Sequence, residues 1–172
     1  MQWPNRRLGA RQSDRRRGFT LIELLVVVVI LAIAGMAVIP MMSGTGDLQA
    51  ISAARIIATD LQYAQNVAIT TQELIEVSFD IVTESYDLAS KTSGVLQHPM
   101  TKEDYVVGFQ GQENFDQVDV VSASFGGGEK VAFDELGSPD NGGSVTVQAG
   151  STVYRVDVAP VTGMVTVTQV GP

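Results

Sequence analysis

Residues 19–39 carry a single charge, Glu23, in an otherwise almost wholly apolar run of 21 residues. As a helix that run would measure about 30 Å, the thickness of the hydrocarbon core of a bilayer. Residues 1–18 hold six arginines and one acid, Asp14, a net +5, and no basic residue follows until Arg55. The asymmetry predicts a short leader retained in the cytoplasm and an exported remainder. Glu23 is the anomaly, because a carboxylate in an apolar helix costs about 2.5 to 3.5 kcal/mol at its centre and less near an end. A single helix offers it no partner, and the leader arginines reach it only while the leader is attached.

Gly18-Phe19-Thr20-Leu21-Ile22-Glu23 resembles the class III signal of type IV pilins and type II secretion pseudopilins. The resemblance implies that a prepilin peptidase and methyltransferase cuts between Gly18 and Phe19 on the cytoplasmic side and methylates the new amino group of Phe19. It also implies that Glu23 recruits the subunit into a filament by pairing with the N-terminal amine of a neighbour, which would supply the missing partner. Other readings of the stretch stay open. Ala32-Ile33-Ala34 before Gly35 fits an ordinary signal-peptidase site, Arg16-Arg17-Gly18-Phe19 resembles part of a twin-arginine signal, and the run would also serve as a plain single-span anchor. Glu23 counts against all three.

The formal net charge of −8 conceals two opposite regions: beyond residue 18, five basic side chains face eighteen acidic ones, a net −13. An acidic exported part argues against nucleic acid as a partner, since phosphate neutralisation needs clustered Lys and Arg. The absence of cysteine removes disulfides, thiolate catalysis and cysteine metal sites, so packing must hold the fold.

Pro40 falls where the helix would otherwise continue and predicts a kink; pilins commonly carry a proline at this place. Residues 41–46 include Gly44 and Gly46 and mark a soft spot. Helical spacing resumes at Asp47, with Ile51, Ala54, Ala58, Leu61, Ala64 and Ala68 on one face and Arg55, Asp60 and Gln62 expected outward. From residue 72 the period changes to two. Residues 75–81 alternate as a strand, 83–89 form its weaker hairpin partner, and 91–111 read as loop with one strand near 105–109. Strands at 117–125 and 130–136 flank Gly126-Gly127-Gly128, and 144–149, 152–159 and 164–168 make three more, with turns at Gly150-Ser151 and Thr162-Gly163.

One long helix followed by such strands predicts an α+β fold, with the helix transmembrane in its first half and an antiparallel β-sheet head packed on its second half. The expected division is a leader at 1–18, a transmembrane and assembly helix at 19–42, an amphipathic continuation at 43–71 and a β-rich head at 72–172. The segments Val131-Ala132-Phe133-Asp134-Glu135-Leu136-Gly137-Ser138-Pro139, Gly142-Gly143-Ser144-Val145-Thr146-Val147, Tyr154-Arg155-Val156-Asp157-Val158 and Thr162-Gly163-Met164-Val165 resemble the H-type minor pseudopilin and FimT-type minor pilin family. That likeness implies a subunit that helps start or cap the filament driving type II secretion, with other minor and major pilins or pseudopilins and the inner membrane as partners. It leaves open a FimT-type minor pilin of a type IV pilus, used in assembly or DNA uptake; a soluble binding module released after Ala34 is the alternative from another class. DNA-binding members of the FimT group carry arginines near the C-terminus, and Gly163-Met164-Val165-Thr166-Val167-Thr168 has none.

His98, the one histidine, reads as a loop residue rather than a metal ligand or catalytic base. Gly126-Gly127-Gly128-Glu129-Lys130 lacks the Ser or Thr and the helix of a phosphate cradle and reads as a hairpin turn. Asp134, Glu135, Asp140 and Asn141, or Glu113, Asp116 and Asp119, offer oxygen ligands, but neither set has the spacing of a twelve-residue calcium loop. No metal, cofactor or catalytic activity is expected.

Overall fold

The computed structural model describes residues 19–38 and 45–171, in two units that divide at Met41. The first unit contributes helix α1, Leu21–Val38. Pro40, the expected kink, lies outside the described residues.

The second unit opens with α2, Thr45–Thr71, a 27-residue helix. It contains neither glycine nor proline between Leu48 and Thr71, and alanine on its inner face lets strands approach closely. At its end Gln72 takes a left-handed φ of 55°, and its side-chain amide donates to the Ile69 and Glu135 carbonyls at 2.8 and 3.1 Å. One free carbonyl of the last turn, that of Ile69, is thereby answered by a side chain where glycine is the usual solution. Ala54, Ala58, Leu61, Ala64 and Ala68 are buried as their spacing predicts. Ile51 is half-buried, and Ala50, Ala53 and Ile57 widen the inner face beyond that prediction.

Nine strands follow, all paired antiparallel. β1 (Ile75–Asp80) and β2 (Ser85–Ser90) form the expected hairpin, in register from Ile75↔Ser90 to Asp80↔Ser85. Asp80 holds their turn by accepting from the Val82 and Thr83 amides. β3 (Gly94–Val95) and β4 (Val106–Gly108) both line the far edge of β2, at opposite ends of it. A short 3-10 turn, Glu113–Phe115, leads into β5 (Val118–Phe125), and then come β6 (Lys130–Phe133), β7 (Gly143–Ala149), β8 (Thr152–Val158) and β9 (Val165–Gln169).

The head is not one sheet but two. β6 joins β1, giving the order β3-β2-β1-β6 with β4 also on β2, whereas β5 pairs with β7 and opens a second sheet, β5-β7-β8-β9. The turn at Gly126-Gly127 is hairpin-like, with Phe125 and Gly128 exchanging N–H···O bonds of 2.8 and 3.0 Å and both intervening glycines left-handed. Yet the strands it joins part into different sheets. Alternation along a strand specifies which face is buried and leaves the neighbour open, so this exchange was not visible in the sequence. β6 also ends at Phe133 rather than residue 136, because Asp134 turns the chain by accepting from the Leu136 and Ser138 amides.

α2 packs against β1 and β6 of the first sheet and β5, β7, β8 and β9 of the second, so a single core serves all three layers. Phe79 of β1 stacks on Phe125 of β5 with centroids 5.9 Å apart, closing the seam between the sheets.

Candidate functional site

The N-terminal unit presents a helix with no polar face. Every side chain described in it, from Phe19 to Ala34, is exposed, Phe19 by 81% and Leu21 by 84%. A helix that is apolar all round has no stripe with which to choose one neighbour and must be covered on every side by lipid or by other helices. Among the described residues no helix is long and apolar enough to cross a membrane; residues 39–42 of the expected span lie outside them.

Thr20 starts this helix. Its hydroxyl accepts from the Glu23 amide at 3.3 Å, and its carbonyl accepts from the Glu23 and Leu24 amides at 3.1 and 3.2 Å. The Thr-x-x-Glu spacing is that of a capping box, which places the Glu23 carboxylate in the first turn, where the helix dipole favours negative charge. Phe19 and Glu23 are therefore one turn apart on an exposed helix start, and Gly18 lies outside the described residues.

The head contains a polar cluster that the sequence reading misplaced. Asp60, expected on the solvent side with Arg55 and Gln62, is 9% exposed, while the other two do face solvent. Its carboxylate accepts from the hydroxyls of Tyr86, at 2.5 Å, and Tyr105, at 3.0 Å. Burial raises the Asp60 pKa and outweighs the two hydrogen bonds that lower it; burial together with the nearby carboxylate drives the Tyr86 and Tyr105 pKa values up. Tyr63 stacks on Tyr105 at 5.4 Å and His98 lies 4.7 Å from the same ring. The signal was in the spacing, since Asp60 continues the series Ala53, Ile57 and Ala64 along the buried face. With both hydroxyls donated to one acceptor, the cluster ties α2 to β2 and to the strand-proximal residue Tyr105.

Four of the remaining candidates are engaged within the fold. His98 is half-buried and its Nδ1 accepts from the Met100 and Thr101 amides. Asp134 caps its own turn, Asp140 accepts from the Ala132 and Asn141 amides, and Asp116 accepts from the Gln49 side chain at 2.8 Å. Among the described residues no three His, Asp or Glu side chains converge as a metal site would require.

Two family models match the sequence. The prokaryotic N-terminal methylation motif covers residues 13–39, and the type II transport protein GspH model covers residues 53–162. No curated protein matches the chain. Among solved structures, the minor pseudopilin EpsH of the Vibrio cholerae type 2 secretion system is similar at 12% identity and a TM-score of 0.52, over 72% of this chain and 98% of that one. The Pseudomonas aeruginosa type IV minor pilin FimU is similar at 15% identity and a TM-score of 0.51, over 74% of this chain and 96% of that one. Both likenesses are to the fold, a helix packed on an antiparallel sheet head.

Proposed function

The chain belongs to the type II transport protein GspH family, and from that premise we propose that it is a minor pseudopilin of a type II secretion pseudopilus. It is made as a precursor whose apolar segment crosses the inner membrane once, with the leader in the cytoplasm and the head in the periplasm. A prepilin peptidase and methyltransferase cuts between Gly18 and Phe19 and methylates Phe19. The subunit then enters a filament with other minor and major pseudopilins, its helices bundled at the axis, and helps start or cap the fibre that drives protein export. The chain is a structural component and a substrate of processing, not a catalyst.

One observation carries this reading. Glu23 stands alone in the first turn of a helix whose described side chains are all exposed and otherwise almost all apolar. A filament resolves both costs together: neighbouring helices cover the apolar surface, and a neighbour's N-terminal amine neutralises the acid. Cleavage before Phe19 would create such an amine four residues from each Glu23.

Mass spectrometry of the mature N-terminus tests the processing step. Methylated Phe19 is the expected result; a chain beginning at Gly35 would mean release by signal peptidase as a free domain, and an intact leader would mean a plain anchor. Glu23→Ala is then expected to be processed and membrane-bound yet to drop at least tenfold in fibre incorporation, with the dependent secretion falling alongside. Undiminished incorporation of that variant would remove the role given to Glu23.

The likeness to FimU supports a second reading, a FimT-type minor pilin of a type IV pilus. Purifying secretion pseudopili and type IV pili separately from the same cells discriminates the two by which fibre carries the chain.

A further inference from the structure

At the C-terminal end of α2 two turns of the head are fastened side by side. Gln65 donates through its side-chain amide to the Gly137 carbonyl at 2.7 Å and to the Thr162 carbonyl at 3.0 Å, and the Ser138 hydroxyl donates to the Val161 carbonyl at 2.6 Å. Gly137 and Gly163 are both left-handed, at φ 80° and 65°, and neither has room for a Cβ. One at Gly137 would meet the Ile69 side chain at 2.8 Å, and one at Gly163 would meet the Gly137 carbonyl oxygen at 2.9 Å. What this bracing holds out is apolar: Leu136 is 84% exposed, Val161 76% and Met164 64%.

Val161 makes the arrangement unusual. Its φ is 76°, and among the described residues it is the β-branched side chain held at positive φ. A β-branched residue is poorly tolerated there, and a glycine would relieve the backbone while removing an exposed methyl pair. An exposed valine that gains no burial in the monomer and keeps a strained backbone is accounted for if its side chain is buried elsewhere.

The charge around the patch selects the occupant. The segments that build it, residues 65–72, 134–143 and 159–164, contain Asp134, Glu135 and Asp140 and no Lys or Arg. A second copy would bring the same acids against these, whereas an apolar surface rimmed by Lys or Arg would be attracted. Resting on the reading of the chain as a pilin-like subunit, we propose that Leu136, Val161 and Met164 form the docking surface for the head of a different pilin-like subunit. That partner presents an apolar depression with a basic rim.

The test uses the full chain in its native membranes, with photoreactive benzoylphenylalanine placed at Leu136, at Val161, at Val82 as an exposed control on the β1–β2 turn, or at Leu24 in α1. The expected result is an adduct with the head of another pilin-like chain from positions 136 and 161 and not from 82. The adduct from position 136 should fall at least fivefold in a Val161→Gly background, although that variant melts at a higher temperature. Glu135→Lys should also reduce it. Adducts from position 24 to pilin-like chains with none from 136 or 161 would overturn the docking surface while leaving the subunit assignment intact. An adduct with a second copy, or one unchanged by Val161→Gly, would overturn it equally. No pilin-like adduct from any position, position 24 included, would sink the assignment itself and the docking surface with it.

Discussion

Asp60 satisfies two tyrosine hydroxyls and loses most of its contact with water in doing so. Asp60→Ala would leave both hydroxyls without an acceptor, at about 1 to 3 kcal/mol for each buried unsatisfied group. Chemical denaturation should therefore show a loss of about 2 to 6 kcal/mol, with Asp60→Asn, which keeps the shape and one acceptor, losing less. The pH dependence has a definite sign. Because burial raises the Asp60 pKa above its ordinary 3.8, the folded head holds this proton more tightly than the unfolded chain. The resulting stabilisation is complete below the ordinary value and is lost as pH rises through the folded one. Asp60→Asn should flatten that part of the stability profile, which lies above the ordinary value of 3.8, and an unchanged slope would mean that other groups set it. The spacing that puts Asp60 in line with Ala53, Ile57 and Ala64 was legible, but a carboxylate reads as outward until two tyrosines far along the chain are known to meet it. Glu23 stands out for the opposite reason, as the one charge in an almost wholly apolar run, and its assembly role remains the proposal made above.

Among the elements, α2 and the β1–β2 and β7–β8 hairpins follow from local pattern: alanine at helical spacing, strict alternation, and short turns at Gly150-Ser151 and after Asp80. The division into two sheets does not follow, because it depends on β5 leaving β6 for β7 across the Gly126-Gly127 turn. Two substitutions probe these layers. Ala64 is fully buried on the inner face of α2, so Ala64→Leu forces side chains into strands of both sheets and should cost about 1 to 3 kcal/mol in a denaturant titration. Gly143 pairs with Phe125 in β5 and Val158 in β8, and a Cβ there would collide with the Ser124 carbonyl and the Phe125 ring. Gly143→Ala should thus open the β5–β7 ladder at this end and be detectable as faster amide exchange there than at the β1–β2 hairpin.

For the whole molecule the decisive asymmetry is a basic stretch, residues 1–18, ahead of an acidic remainder, net +5 against −13. A head with fifteen acidic and four basic side chains after residue 71, two of the four already paired as Lys130–Glu76 and Arg155–Asp157, is expected to give no shift of DNA in a gel at low salt. A salt-sensitive shift would instead revive DNA uptake as its task. Mechanical load is where the anchoring of α2 matters. Its first turns are tied to the second sheet by Thr152 donating to Asp47, and to the start of β5 by Gln49, which bonds Asp116 and the Gln117 amide. Its buried pegs, Ile57 and Leu61, sit deeper in the same core. A pull entering at residue 45 along the α2 axis cannot unzip the head one bond at a time. It has to slide the rod past two sheets at once, with anchors and pegs resisting in parallel, so release of the helix from the head is expected as one cooperative event.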